Sequence, residues 1–384
     1  MNKRMRKNIL FFIISILAFV YEFYTLVPDR IVYISGNANN LPEFISGLPA
    51  DNPSSREELK LFGVIPYKSV DVDVVEDDNV ILGGESIGIN LNVDGILILG
   101  FSDFYGEDGK KHCPAKEAGL KEEDIIVKVN NTKVTSAAQF SSLVDGYANS
   151  EITVEFSRNG ETMTTKIVPE KSSEDGEYHL GLWARDGTSG IGTLTFVNPK
   201  TNTFAALGHA VNDAETGKAI QLGTGNIYYS AVTEIVKGSR GIAGELQGSF
   251  ISSDIGEIGR NTEFGIYGKF YGTKNTEKIV TVASRNEITE GSASIFCCIK
   301  GNTVEEYEIK IEKINLNSYD NKSMVICVTD DRLVGQTGGI VQGMSGSPIM
   351  QNGKLVGAVT HVMVNNSCRG YAVFAELMLA KCQE

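Results

Sequence analysis

At Gly339-Ile340-Val341-Gln342-Gly343-Met344-Ser345-Gly346-Ser347-Pro348-Ile349, a serine stands among glycines, between apolar runs at 324–328 and 355–359. This pattern predicts a tight loop between two strands, with Ser345 near its tip. Because the glycines at 343 and 346 let the backbone turn sharply, the amides of Gly343 and Ser345 can point at one spot where a carbonyl oxygen gains negative charge. The loop therefore has the residues of a nucleophile beside an oxyanion hole.

Three interpretations fit such a loop. The first is a plain Gly/Ser turn in a β-protein. The second is the nucleophile elbow of the α/β-hydrolases, which needs G-x-S-x-G followed by a helix. Position 347 is Ser, Pro348 stands where that helix would begin, and only 36 residues follow. The third is a protease loop, since Gly-x-Ser-Gly-Ser-Pro resembles the Gly-Asp-Ser-Gly-Gly-Pro signature of chymotrypsin-like proteases, and this is the interpretation that we favour.

Length and composition limit the remaining choices. The chain has 384 residues, enough for two or three domains, and its 41 glycines against a single Trp are typical of a turn-rich β-protein. Its net charge of −13 argues against a nucleic-acid partner, which requires a basic face. The six cysteines form no C-x-x-C pair and no metal-ligand spacing with the four histidines, so we expect no metal and no cofactor.

The N-terminus has the pattern of an export signal. Four basic residues among the first seven precede the apolar run 9–21, and a further apolar turn covers 23–27. No small-x-small cleavage site follows, so we favour an uncleaved membrane anchor over residues 1–28 rather than a removed signal peptide. The remainder would then lie outside the cytoplasm, beginning with a linker and a small β segment over 29–82.

Residues 83–170 have the pattern of a compact α+β module, with a helix predicted over 137–147 and a β-hairpin turn at Asn159-Gly160. The run Pro114-Ala115-x-x-Ala118-Gly119-Leu120-x-x-x-Asp124-Ile125-Ile126-x-x-Val129-Asn130 resembles the PDZ domains of bacterial proteases. The resemblance implies binding of a peptide as an added strand, with its carboxylate in a glycine loop. The loop that matches this role consists of Ser86, Ile87, Gly88, Ile89 and Asn90. The alternative is a module that only packs against its neighbour. If the module is instead a separate peptide binder, a chain that begins near Lys171 should fold without it.

Residues 171–384 are rich in glycine and β-branched residues and have the size of two packed six-stranded barrels. A serine nucleophile needs a base. Two of the four histidines, at 112 and 179, fall in the PDZ-like module and the joint after it. His209, in Leu207-Gly208-His209-Ala210-Val211, is therefore the candidate base, although a structural role is the alternative.

The anchor, the PDZ-like module, the Leu-Gly-His-Ala-Val histidine and the Gln-Gly-Met-Ser-Gly-Ser-Pro-Ile serine together resemble the stage IV sporulation protein B family of serine peptidases. The resemblance implies chymotrypsin-like catalysis with His209 as base, Ser345 as nucleophile and Asp330 as acid. The residues alone leave a second candidate open. Asp254 follows His209 by 45 residues, where trypsin-like enzymes place their acid in the first barrel.

A further pair, Thr360 and His361, follows the serine loop in the strand that lines the S1 pocket of chymotrypsin-like folds. The pair is similar to that of glutamyl-specific and viral-type proteases. A histidine there can read the P1 side chain by a hydrogen bond, and a structural histidine is the alternative.

The sequence thus predicts a mainly β protein, a chymotrypsin-like double β-barrel over 171–384 preceded by a PDZ-like module and an N-terminal anchor. The family resemblance implies a self-cleaving serine endopeptidase of spore formation in the space between forespore and mother-cell membranes. It would also cleave a membrane regulatory protein of an intramembrane protease complex, and so activate a late mother-cell sigma factor. The competing class is a non-enzymatic PDZ scaffold with an inactive barrel.

Overall fold

The structure is a computed structural model. It describes residues 11, 14, 15, 24, 27–34, 45–47, 56–75, 78–214, 216–273 and 278–383. Most of the predicted anchor, 1–28, lies outside the described residues. Among those described, no helix combines the length and the apolar character that crossing a membrane requires.

The described N-terminal part is a small sheet. Its strands are β1 (Arg30–Ile34), β2 (Ile45–Ser46), β3 (Arg56–Leu61) and β4 (Ile65–Val75), in the order β1-β4-β3-β2. Alternation along β4 buries Val70 and Val72 with Leu59 and Tyr33, as expected for a strand with one solvated face. The small β segment predicted from the sequence is therefore present.

The next part of the chain forms one closed barrel and one inserted module. In chain order its elements are β5 (Asn79–Leu82), β6 (Ser86–Phe101), β7 (Phe104–Tyr105), β8 (Lys111–His112), α1 (Pro114–Glu117), β9 (Ile125–Val129), β10 (Thr132–Lys133), α2 (Ala137–Tyr147), β11 (Ile152–Arg158), β12 (Glu161–Ile167), β13 (Glu170–Lys171), β14 (Tyr178–His179), β15 (Leu182–Val197), β16 (Thr203–Ala206), β17 (Thr224–Val236), β18 (Glu245–Thr262), β19 (Gly265–Phe270) and β20 (Ile279–Thr281).

The first barrel closes through the order β6-β17-β18-β19-β16-β15, because β15 pairs back onto β6. Its interior is filled by inward-facing side chains such as Ile87, Leu91, Phe204 and Ile227. The sequence placed the start of this barrel after 171, and the structure corrects that boundary. The barrel takes β6 from residues assigned to the PDZ-like module, and β5, from residues assigned to the linker, pairs with β15 outside the closed ring.

The PDZ-like module is an insertion between β6 and β15. Each of these strands is 16 residues long. The first half of β6 and the last half of β15 belong to the barrel, and the other two halves belong to the module. Within the module, β6 continues to β9, β11 and β12, and α2 covers the sheet. The predicted Asn159-Gly160 hairpin joins β11 and β12, and α2 matches the predicted helix.

The second barrel is also six-stranded and closed, in the order β21-β22-β23-β26-β25-β24. Its elements are β21 (Gly291–Cys297), β22 (Glu305–Ile314), β23 (Met324–Val328), α3 (Asp331–Thr337), β24 (Pro348–Gln351), β25 (Lys354–Val362), β26 (Arg369–Phe374) and the terminal helix α4 (Ala375–Gln383). The serine loop lies between α3 and β24. The predicted double barrel is thus confirmed.

Candidate active site

Ser345 lies half-buried at the bend of the loop between α3 and β24. Two glycines make the bend possible, since Gly343 and Gly346 have φ of 95° and 93°, values that side chains with a Cβ rarely adopt. A Cβ on Gly346 would also lie 2.2 Å from the carbonyl oxygen of Thr193. The Oγ of Ser345 donates a hydrogen bond to the carbonyl oxygen of Thr360 on β25, at 2.8 Å.

The amides of this loop divide into two groups. Those of Met344, Gly346 and Ser347 donate to the carbonyls of Val341, Val359 and Met344. The amides of Gly343 and Ser345 donate to no acceptor within the described parts of the chain. Two free amides flanking a nucleophile are the donors that an oxyanion hole requires.

A neighbouring strand holds the loop in this shape. The amide of Thr193 on β15 donates to the carbonyl of Ser345 at 2.9 Å, and its Oγ1 donates to the carbonyl of Gly343 at 2.9 Å. The Oγ1 of Thr195 donates to the carbonyl of Gly346 at 2.8 Å. The sequence did not indicate this contact, because a Thr-x-Thr alternation in a strand is ordinary and its partner lies 150 residues away.

His209 follows β16 through a tight turn in which Leu207 and Gly208 have φ of 72° and 70°. The side chain of Asn261 binds both the amide and the carbonyl of Val211, which fixes the loop beyond the histidine. The Nδ1 of His209 lies 2.7 Å from the carbonyl oxygen of Ala210. A carbonyl can only accept, so Nδ1 carries the hydrogen and Nε2 carries the free lone pair of a base. Burial lowers the pKa of His209, which keeps the imidazole neutral.

His361 packs against His209, with ring centroids 4.7 Å apart and the planes inclined by 36°. Its Nδ1 is buried and has no hydrogen-bond partner among the described residues. Burial, and then electrostatic interactions with His209 and Lys322, lower the pKa of His361 to about 4, so its imidazole is neutral near pH 7. Thr360 contributes its carbonyl to the site, whereas its hydroxyl donates to the carbonyl of Asn321 at 2.8 Å.

These groups share one cavity of about 510 Å³ between the two barrels. His209 lines it from the first barrel, and Gly343, Ser345 and His361 line it from the second. No hydrogen bond joins Ser345 to His209 in the described structure, since the Ser345 hydroxyl donates to the carbonyl of Thr360 instead. The nucleophile, the base and the free amides predicted from the sequence are therefore brought together, in a resting arrangement.

The predicted acid, Asp330, lies elsewhere. Its carboxylate caps α3 by accepting from the amide of Arg332 at 2.9 Å, and it forms an ion pair with the Arg332 side chain at 2.8 Å. Hydrogen bonds from Arg332 lower the pKa of Asp330 to about 2. The carboxylate lines an acidic depression with Glu306, Glu308 and Asp331, apart from the His209 cavity. The structure thus corrects the assignment: in this arrangement Asp330 is the N-cap of a helix.

The alternative acid, Asp254, does not meet His209 either. It is exposed on β18, where its Oδ2 accepts from the side chain of Asn226 at 3.3 Å. The strand turns Ile255 into the barrel and Asp254 outward, which the sequence could not reveal without the register. In this structure the group that fixes the tautomer of His209 is the carbonyl of Ala210.

A family model described as SpoIVB peptidase S55 matches residues 176–379 of this chain. The chain belongs to the SpoIVB peptidase S55 family. Membership in a peptidase family favours an enzyme over the non-enzymatic scaffold considered above. A PDZ domain model also matches residues 107–158 of this S55 peptidase.

Two curated relatives each match less than a third of this chain. Zinc metalloprotease RasP of Shouchella clausii is 28% identical over 128 residues, covering 29% of this chain and 31% of the relative. The putative zinc metalloprotease LL2128 of Lactococcus lactis is 33% identical over 107 residues, covering 27% and 24%. The S55 chain thus spans less than a third of either. Its four histidines, at 112, 179, 209 and 361, leave no H-E-x-x-H zinc motif.

Among solved structures, the inactive form of the Rv3671c protease has a TM-score of 0.28 at 14% identity, covering 50% of this chain and 85% of that one. The PDZ domain of the SdrC-like protein Lmo2051 from Listeria monocytogenes has a TM-score of 0.20 at 14% identity, covering 24% and 87%. These scores are too low to support an argument.

The predicted peptide loop of the PDZ module is wrong. Residues Ser86, Ile87, Gly88, Ile89 and Asn90 form the start of β6, inside the first barrel of the S55 peptidase. They pair with β15 on one side and β17 on the other, so their backbone is not available to a peptide. Ile87 and Ile89 are buried in the barrel core, and the Oγ atoms of Ser86 and Ser230 lie 2.7 Å apart.

The groove of the module lies between α2 and the first residues of β15. It is a cavity of about 340 Å³ lined by Phe140 and Val144 of α2 and by Leu182 and Trp183 of β15. Among the residues that the structure describes, β15 pairs there with β6 on one side only, which leaves an open edge for an added strand. Gly181, with φ of 72°, precedes this edge. The signal in the sequence was Leu180-Gly181-Leu182, a glycine between apolar residues directly before a strand.

Proposed function

We propose that this S55 peptidase is an extracytoplasmic endopeptidase of spore formation. It is anchored by residues 1–28, cleaves itself, and cleaves a membrane regulatory protein of an intramembrane protease complex. That cleavage activates processing of a late mother-cell sigma factor precursor. The family supports the spore-formation role, and the open edge of the PDZ groove supports recruitment of a protein substrate. The observation that carries the catalytic part is the cavity shared by Ser345, His209 and two free amides.

In the proposed reaction, the Ser345 hydroxyl turns from the Thr360 carbonyl towards Nε2 of His209. The imidazole takes the proton while Oγ forms a bond to the scissile carbonyl carbon. The amides of Gly343 and Ser345 bind the oxyanion. His209 then gives the proton to the leaving amine as the C–N bond breaks. Water repeats these steps on the acyl-enzyme and releases the carboxylic acid and free Ser345.

His361 and Thr360 remain the candidate specificity pair. The support for His361 is its buried Nδ1, which has no partner in the described chain and borders the cavity. A neutral imidazole can donate or accept one hydrogen bond there, which suits a polar P1 side chain better than an apolar one. Thr360 acts through its carbonyl.

Self-cleavage of the full chain tests this function. Purified wild-type protein should shorten with time on a denaturing gel, and Ser345→Ala should not, because loss of the nucleophile costs orders of magnitude in rate. Ser347→Ala is the matched control. This second serine of the loop is buried and donates to the carbonyl of Met344, so its loss weakens the loop but leaves the nucleophile. Persistent shortening of a homogeneous Ser345→Ala preparation would contradict the proposal.

A further inference from the structure

The hairpin between β3 and β4 has an exposed apolar tip. Residues 61–67 read Leu-Phe-Gly-Val-Ile-Pro-Tyr and contain no charge. At the tip, Phe62 is 73% exposed, Val64 75% and Ile65 54%. Single exposed apolar residues are ordinary, but a contiguous group on a projecting turn marks a surface that contacts something apolar.

The tip points to the end of the sheet from which the N-terminal segment enters. β1 and β4 are parallel, and Arg30 pairs with Asp71. From Asp71 back to Ile65, β4 continues for roughly 20 Å at about 3.4 Å per residue. The hairpin therefore projects past the start of β1, on the side of the chain that precedes Arg30. That preceding sequence holds the apolar run 9–21.

Contacts at the base of the hairpin join it to this entering segment. Val27 is buried in the core of the small sheet. The Nζ of buried Lys68 donates to the carbonyl of Val27 at 2.6 Å and pairs with Asp29 at 2.8 Å. It also lies 4.6 Å from the ring centre of Tyr24, and the rings of Tyr24 and Tyr67 are 6.3 Å apart. The hairpin and the end of the apolar segment are thus held together.

We propose that the hairpin tip, Phe62 to Ile65, inserts into the facing leaflet of the bilayer that holds the N-terminal segment. This inference rests on the proposed anchoring. A lipid surface fits better than a protein partner because the uncharged tip is followed at its base by two tyrosines, Tyr24 and Tyr67. Tyrosines at that level anchor proteins at the membrane–water interface.

A second membrane contact has a consequence for the peptidase. A single segment would let the rest of the chain rotate and tilt above the bilayer. Two contacts, held together through Lys68, fix its orientation. The cleft is then presented to membrane-bound substrates at a constant height and angle.

Bromolipid quenching of an indole at the tip tests the proposal. The full chain carries Trp183→Phe, which removes its single Trp, together with Phe62→Trp, and is reconstituted into phosphatidylcholine–phosphatidylglycerol vesicles. With bromine on the acyl chains, the new indole should lose most of its emission relative to unbrominated vesicles. Tyr271→Trp in the same background is the matched control, because Tyr271 is 61% exposed but lies on the first barrel, and its emission should not change.

The outcomes distinguish the proposed N-terminal anchor from the proposed hairpin contact. A chain that is washed from the vesicles by alkaline carbonate overturns the anchor and the hairpin contact together. A chain that stays bound while Phe62→Trp is unquenched, or is quenched no more than Tyr271→Trp, overturns the hairpin contact alone. An unquenched but blue-shifted emission would assign the tip to a protein surface such as a second copy of the chain.

Discussion

A main-chain carbonyl sets the tautomer of His209 in this peptidase. Serine peptidases commonly use a carboxylate for this purpose, which both orients the imidazole and stabilises its charged form. The carbonyl of Ala210 performs the first task, since it can only accept from Nδ1. It carries no full charge, so the second task is weaker, in agreement with the lowered pKa of His209.

Asp330 shows how a residue's local role can mislead a motif comparison. It stands 15 residues before Ser345, at the end of β23, where the family resemblance implies an acid. The structure uses the same position to start α3, and an N-cap carboxylate contributes about 1 kcal/mol to a helix. Its carboxylate is paired with Arg332 and lines a different depression from the one that holds His209.

Burial of His361 predicts that the free energy of unfolding depends on pH. The pKa of His361 falls from 6.5 to about 4 on folding, so the unfolded chain binds a proton in this interval that the folded chain does not. The free energy of unfolding should therefore decrease as pH drops from 6.5 towards 4. His361→Gln should reduce this decrease by on the order of 2 kcal/mol. Urea unfolding at a series of pH values measures it, and identical pH profiles for both proteins would contradict the burial of a neutral His361.

At the scale of the element, β15 connects the two binding regions. Its first residues form the open edge of the PDZ groove, and its middle residues line the active-site cavity. Its last residues hold the serine loop through Thr193 and Thr195. A peptide bound at the edge and the oxyanion loop are thus attached to one continuous strand.

Thr193 should act as a positioning residue for the oxyanion hole. Thr193→Val removes the donor to the Gly343 carbonyl and loosens the Gly343–Met344 peptide, which lies between the two free amides. This should slow reaction of Ser345 with a serine-directed phosphonate by about tenfold to a hundredfold at saturation. The half-saturating concentration should change little, and Thr193→Ser should restore the rate. Thr195→Val is the matched control, since it removes the same kind of bond beyond the nucleophile. Equal loss of rate in both valine variants would indicate general weakening of the loop.

Local signals in the sequence were sufficient for elements whose determinants are local. The glycines around Ser345, the Asn159-Gly160 turn and the helical pattern of α2 each depend on neighbouring residues. The alternation Ile87-x-Ile89 was ambiguous, because a glycine loop and a buried strand can share those letters. Deciding between them required the pairing of β6 with β15 and β17, which joins residues far apart in the chain.

At the scale of the molecule, the PDZ module is inserted into the catalytic unit rather than placed before it. The first barrel is closed by the early half of β6, so a chain beginning near Lys171 lacks a barrel strand. We therefore expect that a chain beginning near Lys171 does not fold, contrary to the prediction from the sequence.

An internal deletion should succeed where the truncation fails. Asn92 pairs with Gly187, so removal of 95–185 leaves a short turn between two strands that are already paired. This variant should fold cooperatively and react with the phosphonate, but should fail to cut a protein substrate. The Lys171 truncation, its control, should be unfolded by circular dichroism. A folded truncation would show that the barrel does not depend on β6, and an unfolded deletion variant would show that the barrel needs the module in order to fold.

The rate at which a serine-directed phosphonate modifies Ser345 tests the account most directly, with the modified residue identified by peptide mass spectrometry. We predict one adduct, on Ser345, formed at least a hundredfold more slowly in His209→Ala, since general base catalysis contributes about 10²–10⁴. Asp330→Asn and Asp254→Asn should react at close to the wild-type rate. An adduct on another residue, or a loss of about 10⁴ in either aspartate variant, would contradict a centre built from Ser345, His209 and the carbonyl of Ala210.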